Sequence, residues 1–289
     1  MAVDYTRALV RKRAPRFGFV CFRAGVVMAL AVMVACATGP RRPPTGLPDP
    51  DRFLFERGNE ELNDKDWFTA REYFRQLVDS YPQSQYRGDA KLGIGDTYLG
   101  EGTAESYVLG INEFREFLSM FPTHRRADYA QFKLGMAHFY QMRDPMRDQT
   151  ETIEAIRELT TFVERYPTQE RSALLPEAQK RLREARDRLG RHELGVGIQY
   201  FRSRWYPGAV DRLKNLLEKD PQFTNRDAAL FYLASSFDKA GRPAEALPYH
   251  DRLLKEFEQS EFLERAQQRA SEIKESMEKK ATGGNAHDS

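Results

Sequence analysis

Cysteine is almost missing from this chain: Cys21 and Cys36 are the only two among 289 residues. A disulfide-stapled fold is therefore excluded, and stability has to come from packing. Charge of one sign is not in excess either, with 45 Lys and Arg against 43 Asp and Glu, a net of +2. No basic footprint marks a nucleic-acid binder, so no nucleic-acid partner is expected. Long hydrophobic runs are lacking: the uncharged stretch Ala24 to Ala35 is 12 residues, short of the roughly 20 that span a bilayer as a helix. Five histidines, His124, His138, His192, His250 and His287, show no pair spaced for one metal, and neither a metal nor a cofactor is expected. What is present is 40% hydrophobic and 12% aromatic residues, enough for a sizeable core.

The first 35 residues read as an export segment. Arg7, Arg11, Lys12, Arg13 and Arg16 precede the uncharged stretch, which ends at Cys36. Met33-Val34-Ala35-Cys36 resembles the bacterial lipobox, in which a small residue before cysteine permits cleavage and the sulfur carries a diacylglycerol. Met33 stands where leucine is usual. The competing assignment is an uncleaved anchor from Phe17 to Ala35, which would carry Arg23 into hydrocarbon at about 2.5 to 3.5 kcal/mol. Either way the remainder lies outside the cytoplasm, because the basic flank stays inside. Ala37 is not the aspartate that commonly retains lipoproteins at the inner membrane, which implies the outer membrane and a lipid on Cys36. Residues 1–35 hold six Lys/Arg and one acid, so cleavage turns the net charge to −3. Residues 36–52, with Pro40, Pro43, Pro44, Pro48 and Pro50, form an extended linker.

From residue 53 to 280 the chain repeats itself. Gly58, Ala70, Phe74 and Pro82 are spaced like Gly197, Ala209, Leu213 and Pro221. Two antiparallel helices explain these residue types: small residues where the helices cross, a large apolar residue between them, and proline ending the second helix. Pieces of the pattern recur at Ile94-Gly95, Gly110, Phe114 and Pro122; at Leu134-Gly135, Ala155, Leu159 and Pro167; and at Leu233-Ala234, Phe237 and Ala246. The spacing is that of tetratricopeptide repeats. It predicts an all-α, right-handed superhelical solenoid of about five helix pairs, capped by a charged helix near 260–280, with a disordered tail over 281–289. An extra helix over about 172–189 is expected to lengthen the fourth pair.

Catalytic patterns fail on inspection. Gly93, Gly95, Gly100 and Gly102 have no lysine-serine step after them, so helix packing and a turn account for them better than a phosphate loop. Asp144, Asp148 and Glu151 alternate with Arg143 and Arg147 and read as a mutually paired, solvated loop. Repeat helices leave no room for a catalytic domain, and no enzyme is expected. The functional surface expected of stacked pairs is a concave groove lined by the first helices. Counting from the glycine anchors gives Phe55, Asn59 and Asn63, then Leu92, Asp96 and Leu99, then Tyr129, Phe132, Met136 and Tyr140 as inward candidates. The competing assignment for each is packing between repeats. A peptide in such a groove would bind near micromolar affinity, about 8 kcal/mol.

Lipobox, proline-rich spacer, five such units and the aromatic-proline ends Tyr81-Pro82, Phe121-Pro122 and Tyr166-Pro167 together resemble the BamD family of outer-membrane assembly lipoproteins. Arg147-Asp148-Gln149-Thr150 and the run from His192-Glu193-Leu194 through Tyr200, Ala209 and Arg212 to Pro221 carry the likeness further. Asp220, Arg204 and the longer Thr168–Pro176 depart from the pattern. The resemblance implies a scaffold of the β-barrel assembly machinery, with unfolded outer-membrane proteins as clients. A barrel-type insertase and accessory lipoproteins are its implied partners, and the lipid anchor joins it to the membrane. Arg202, Arg204, Trp205 and Arg212 are the residues expected to dock the insertase, against the plainer role of solvating a helix and filling a turn. A pilotin or cell-constriction scaffold and, more remotely, a peptidoglycan lyase stay open as other functions.

Overall fold

The computed structural model describes the backbone of residues 43–284 and the side chains of 43–279. The export segment, Cys36, the linker up to residue 42 and the tail after 284 lie outside the described residues. The chain divides into two units at Leu47 and Pro48. Of the first, Pro43–Leu47 is described, a turn in which the Leu47 amide donates to the Pro44 carbonyl at 3.3 Å.

Among its described residues, the regular elements of the second unit are all α-helices. Its first pair is α1 (Pro50–Asn63) and α2 (Trp67–Ser80), followed by α3 (Arg87–Glu101) with α4 (Ala104–Met120) and α5 (Ala127–Tyr140) with α6 (Thr150–Arg165). Then come α7 (Leu175–Arg202) with α8 (Tyr206–Lys219), α9 (Arg226–Lys239) with α10 (Pro243–Glu256), and the cap α11 (Leu263–Gly284). Each helix packs on the next, and α1 on α3, α5 on α7 and α7 on α9 make the stack continuous. This is the expected all-α tetratricopeptide-type solenoid of five pairs and a cap.

Two boundaries differ from expectation. The first helix opens at Pro50 rather than after residue 52, because proline's fixed φ and missing N–H suit the first helical position. The cap reaches Gly284, so residues 281–284 are helical rather than part of a tail. The expected extra helix does lengthen the fourth pair, running without a break into its first helix as the 28-residue α7.

The crossing chemistry follows the repeat. A Cβ at Gly58 would lie 2.6 Å from Phe74, at Gly95 2.7 Å from Phe114, at Gly135 2.8 Å from Leu159 and at Gly197 2.6 Å from Leu213. In four pairs a glycine of the first helix thus admits the large apolar residue of the second, and Ala234, fully buried, stands there in the fifth. Gly93 is likewise filled from outside, its missing Cβ 2.5 Å from Phe74, which accounts for the glycine run without any ligand. Helices α2, α4, α6 and α8 stop at Tyr81, Phe121, Tyr166 and Asp220, all with φ between −125° and −131°. Each precedes a proline, whose ring drives its predecessor out of helical geometry.

The turns inside the pairs share a second device. Lys65 (φ 62°), Gly102 (φ 71°), Arg204 (φ 62°) and Gly241 (φ 76°) all take the left-handed conformation that reverses the chain after the first helix. The third pair instead uses the loop 141–149. There buried Gln149 donates to the Asp144 and Arg147 carbonyls at 2.8 and 3.0 Å and accepts from Thr152 Oγ1 at 2.9 Å. The expected Arg–Asp pairing in this loop does not occur among the described residues. Asp144 accepts from the Met146 amide and Asp148 from Thr150, while Glu151 meets His138 at 2.7 Å. Short acceptor side chains closing turns outcompete ion pairs exposed to water.

Candidate functional site

A cavity of about 530 Å³ opens between α7 and α8, with Ile156 of α6 as a third wall. Its position follows from the turn between these helices. Arg204 in the left-handed region lets the Trp205 amide reach back to the Tyr200 carbonyl at 2.9 Å. The indole then lies on Gly208, where a Cβ would come within 2.5 Å, and meets the Tyr200 ring edge-on at 4.6 Å. Trp205 is nonetheless 56% exposed. A tryptophan held by its underside with its other face in water has the geometry that interface anchors share.

Charged groups ring the apolar floor of Leu189, Gly190 and Leu216. Arg212 Nη1 lies 2.6 Å from Glu193 Oε2, and this bond, with a further one to Tyr200, raises its pKa above the ordinary value. At the other end Arg183 bridges Asp220 and Asp187, the Asp187 contact at 3.0 Å. Burial acts to raise the Asp220 carboxyl, but its hydrogen bonds from Arg183 prevail and hold it below the usual range. The cavity joins an apolar base to both signs of charge and contains no nucleophile paired with a base. Such a lining suits side chains of another protein.

Of the residues expected to dock an insertase, Trp205 and Arg212 line this cavity, whereas Arg202 and Arg204 are exposed beside it and are not part of its wall. None of the expected groove residues belongs to it. Phe55 is half-buried, stacked on Tyr86 at 4.9 Å, and Asn59 donates to the Phe55 carbonyl at 2.7 Å; Asn63 is exposed at the end of α1. Asp96 accepts from Tyr129 Oη at 2.8 Å and lies 3.4 Å from Lys133. Burial pushes its carboxyl up and the Tyr129 phenol up as well. Leu99 covers Gly110.

Three groove candidates have to be withdrawn. Leu92 is completely buried among α3, α4 and α5, and Phe132 and Met136 are buried between α5, α6 and α7. A first helix inside the stack has neighbours on most of its circumference, so a stripe counted from its glycine need not face solvent. Tyr140 is 53% exposed and stacks on Tyr107 at 5.8 Å. That pair borders a separate depression of about 500 Å³ with Arg143, Asp148 and Glu151.

Among the described residues one side-chain cluster has metal-like spacing, His138, Glu154 and Glu158, whose ligand atoms lie within 4.8 Å of one another. Arginines already neutralise it: Arg157 reaches Glu154 and Glu158 at 2.5 and 2.9 Å, and Arg115 lies 3.8 Å from Glu158. Reasoning from sequence missed Ile156, Leu189 and Asn215 of the cavity wall and Tyr107 beside Tyr140. Each reads alone as an ordinary helix residue, and only Tyr200, five before Trp205, carried a local signal.

Comparison with known proteins bears on this architecture. Residues 48–250 match the YfiO family model, described as an outer membrane lipoprotein. A Caulobacter vibrioides protein named outer membrane protein assembly factor BamD is 27% identical over 222 residues, covering 76% of this chain and 70% of that one. The Vibrio cholerae protein of the same name is 24% identical, covering 68% and 81%. Among solved structures, the TPR2AB domain of yeast Sti1 in a pHSP90 complex gives a TM-score of 0.41 at 13% identity, covering 80% of this chain and 86% of that one. A MamA crystal structure gives 0.33 at 15%, covering 73% and 94%. These two likenesses add nothing to the helix pairs already described. The family match runs through the helix pairs as far as residue 250, inside α10, and includes the Trp205 cavity, and the chain belongs to the YfiO family of outer membrane lipoproteins.

Proposed function

We propose that this protein is a lipid-anchored scaffold on the periplasmic face of the outer membrane, acting in the assembly of outer-membrane β-barrel proteins. Relatives from several bacteria are named assembly factors, and the role is one of binding rather than catalysis. Among the described residues no helix is long and apolar enough to cross a membrane, and the attachment proposed is the lipid on Cys36. Several buried acyl chains make a durable tether where one would be marginal.

The observation that carries the docking half of this reading is the cavity beside Trp205. A barrel-type insertase presents a periplasmic domain there, with Trp205 as anchor and Arg212, Arg202 and Arg204 around it. Clients bind toward the amino-terminal pairs, where Phe55, Asn59, Asn63 and the Tyr107–Tyr140 stack remain reachable. The family match favours this role over a pilotin or constriction scaffold.

Depletion followed by a catalogue of the outer membrane tests the role: barrel proteins should fall while other lipoproteins persist. Co-purification tests the docking site. Trp205→Ala combined with Arg202→Glu and Arg204→Glu should release the insertase, and retention at wild-type yield would defeat the assignment. Arg212 is left out because reversing it would set two carboxylates against each other at Glu193. Radiolabelled palmitate should attach to the wild-type chain and not to Cys36→Ser.

A further inference from the structure

A further cleft, of about 400 Å³, lies at the carboxy-terminal end of the stack between α9, α10 and α11, with Phe201 of α7 at its edge. One wall is His250, which is 1% exposed and has no hydrogen-bond partner on either ring nitrogen among the described residues. Buried polar groups are nearly always paired, and an orphan bordering an open cleft marks a place where a partner is missing. The Phe231 ring lies edge-on to it at 6.5 Å and offers no hydrogen bond of ordinary strength, while Asp238, Arg269 and Asp251 act on it through their charges alone. Burial lowers the imidazole's affinity for a proton. In either protonation state the ring carries at least one N–H to donate.

The charges around the cleft indicate what it would receive. Arg269 is already paired with two carboxylates, bonded to both oxygens of Asp238 at 2.8 and 2.7 Å and to Glu272 at 2.5 Å. Arg265 is not: it has no carboxylate within ion-pair distance among the described residues, and its guanidinium rests 4.4 Å over the Phe231 ring. Stacking on an aromatic face leaves the fork of N–H groups at the guanidinium edge available for a planar acceptor. Lys239 adds another cation, while Phe201 and Phe231 supply apolar surface.

We infer that this cleft is a recognition site for a carboxylate presented by a partner polypeptide, bound by the His250 ring and the Arg265 guanidinium with an apolar neighbour over Phe201. Arg265 lies beyond residue 250, where the family match ends, whereas His250, Phe201 and Phe231 lie inside it. The cleft is separate from the Trp205 cavity, with no residue in both linings.

The test uses the full chain labelled with ¹⁵N-histidine and two small probes, 3-phenylpropionate and its neutral isostere 3-phenylpropanamide. Substituting His124, His138, His192 and His287 in turn assigns the His250 ring signals even if His250→Gln does not fold. The carboxylate should shift the His250 nitrogens saturably, the amide should bind at least about ten-fold more weakly, and Arg265→Gln should lose roughly the same factor with an unchanged melting temperature. An unmoved His250 signal, equal binding of the amide, or wild-type affinity in Arg265→Gln each overturns the proposal. Two dipeptides then identify the source. Binding of N-acetyl-Phe-Glu-amide assigns an acidic side chain, binding of N-acetyl-Gln-Phe with a free carboxyl end assigns a chain terminus, and failure of both overturns the polypeptide as ligand.

Discussion

Single aspartates fasten each helix pair to the turn that follows it. Ser84 Oγ donates to Asp51 at 2.6 Å, Ser172 to Asp128 at 2.6 Å and Ser260 to Asp227 at 2.7 Å. Each serine also accepts a backbone amide two residues on, at 3.1 to 3.2 Å. The second pair answers with Asp89 bound by Arg125 and Arg126 at 2.8 and 3.2 Å, and the fourth with Asp187 accepting the Thr224 amide at 2.9 Å. Hydrogen bonds to a charged group are worth about 1.5 to 3 kcal/mol, so Ser172→Ala should lower the urea-unfolding free energy by about 1 to 2 kcal/mol, with Ser172→Thr recovering part. Asp89 supplies a pH prediction. Burial raises its carboxyl, but the bonds from Arg125 and Arg126 prevail and its pKa is lowered on folding. That stability is therefore present above the ordinary carboxylate value and is lost as pH falls through the lower folded one. Asp89→Asn should flatten the acid limb of stability against pH and leave the region above pH 6 parallel to wild type. A steeper acid limb in the variant would show the sign to be wrong.

At the scale of the element, glycine and its opposite number decide how closely two helices approach. Gly197→Leu drives a side chain into Leu213 and, like other overpacking changes, should cost about 1 to 3 kcal/mol. In a body of this size that is a fall of several degrees in melting temperature, and Gly197→Ala should lie between. Trp205 makes the contrasting case. It is the exposed ornament of a turn whose reversal belongs to Arg204, so Trp205→Ala should change thermal stability little while weakening insertase binding by about 2 kcal/mol or more, the range of an interfacial hot spot. A binding loss matched by an equal loss of folded protein would make the residue structural. The third pair's loop behaves as part of α7's surface. Arg188 Nη1 donates to the Arg143 carbonyl at 2.7 Å, His192 to that of Pro145 at 2.6 Å, and Met146 lies on Gly195. The motif Arg147-Asp148-Gln149-Thr150 thus has at least one structural reason to exist, in the bonds of buried Gln149.

Across the whole molecule, stability is a sum over neighbouring pairs rather than one central core. The cap is an instance: Phe262, Ala266 and Ile273 are buried against the fifth pair. Removing 263–289 should expose Leu230 and Phe231 and speed hydrogen exchange in α9 and α10, leaving α1 to α6 at wild-type protection. Uniformly faster exchange would contradict a nearest-neighbour architecture.

The pair count, the crossing glycines and the proline-terminated second helices were legible in the amino-acid order, because each depends on residues close along the chain and on steric rules that hold in any helix. The left-handed Lys65 and Arg204 were not, since nothing in a side chain announces a positive φ outside glycine. Nor was the burial of Leu92, Phe132 and Met136, for a helix flanked on several sides shows apolar residues around its girth and no single inward stripe.

Sequence alone therefore determined the class of fold, the family likeness and the identity of Trp205 and Arg212 as residues worth following. Only the tertiary structure decided that these two border one cavity, that Glu193 faces Arg212 from 19 positions away, and that His250, in the cleft Arg265 also lines, is buried with no hydrogen-bond partner among the described residues. Local periodicity fixes what a segment becomes. Which groups meet across a stack depends on how far each pair rotates and shifts on the one before it, a quantity set by all the contacts together and written in no single stretch of chain.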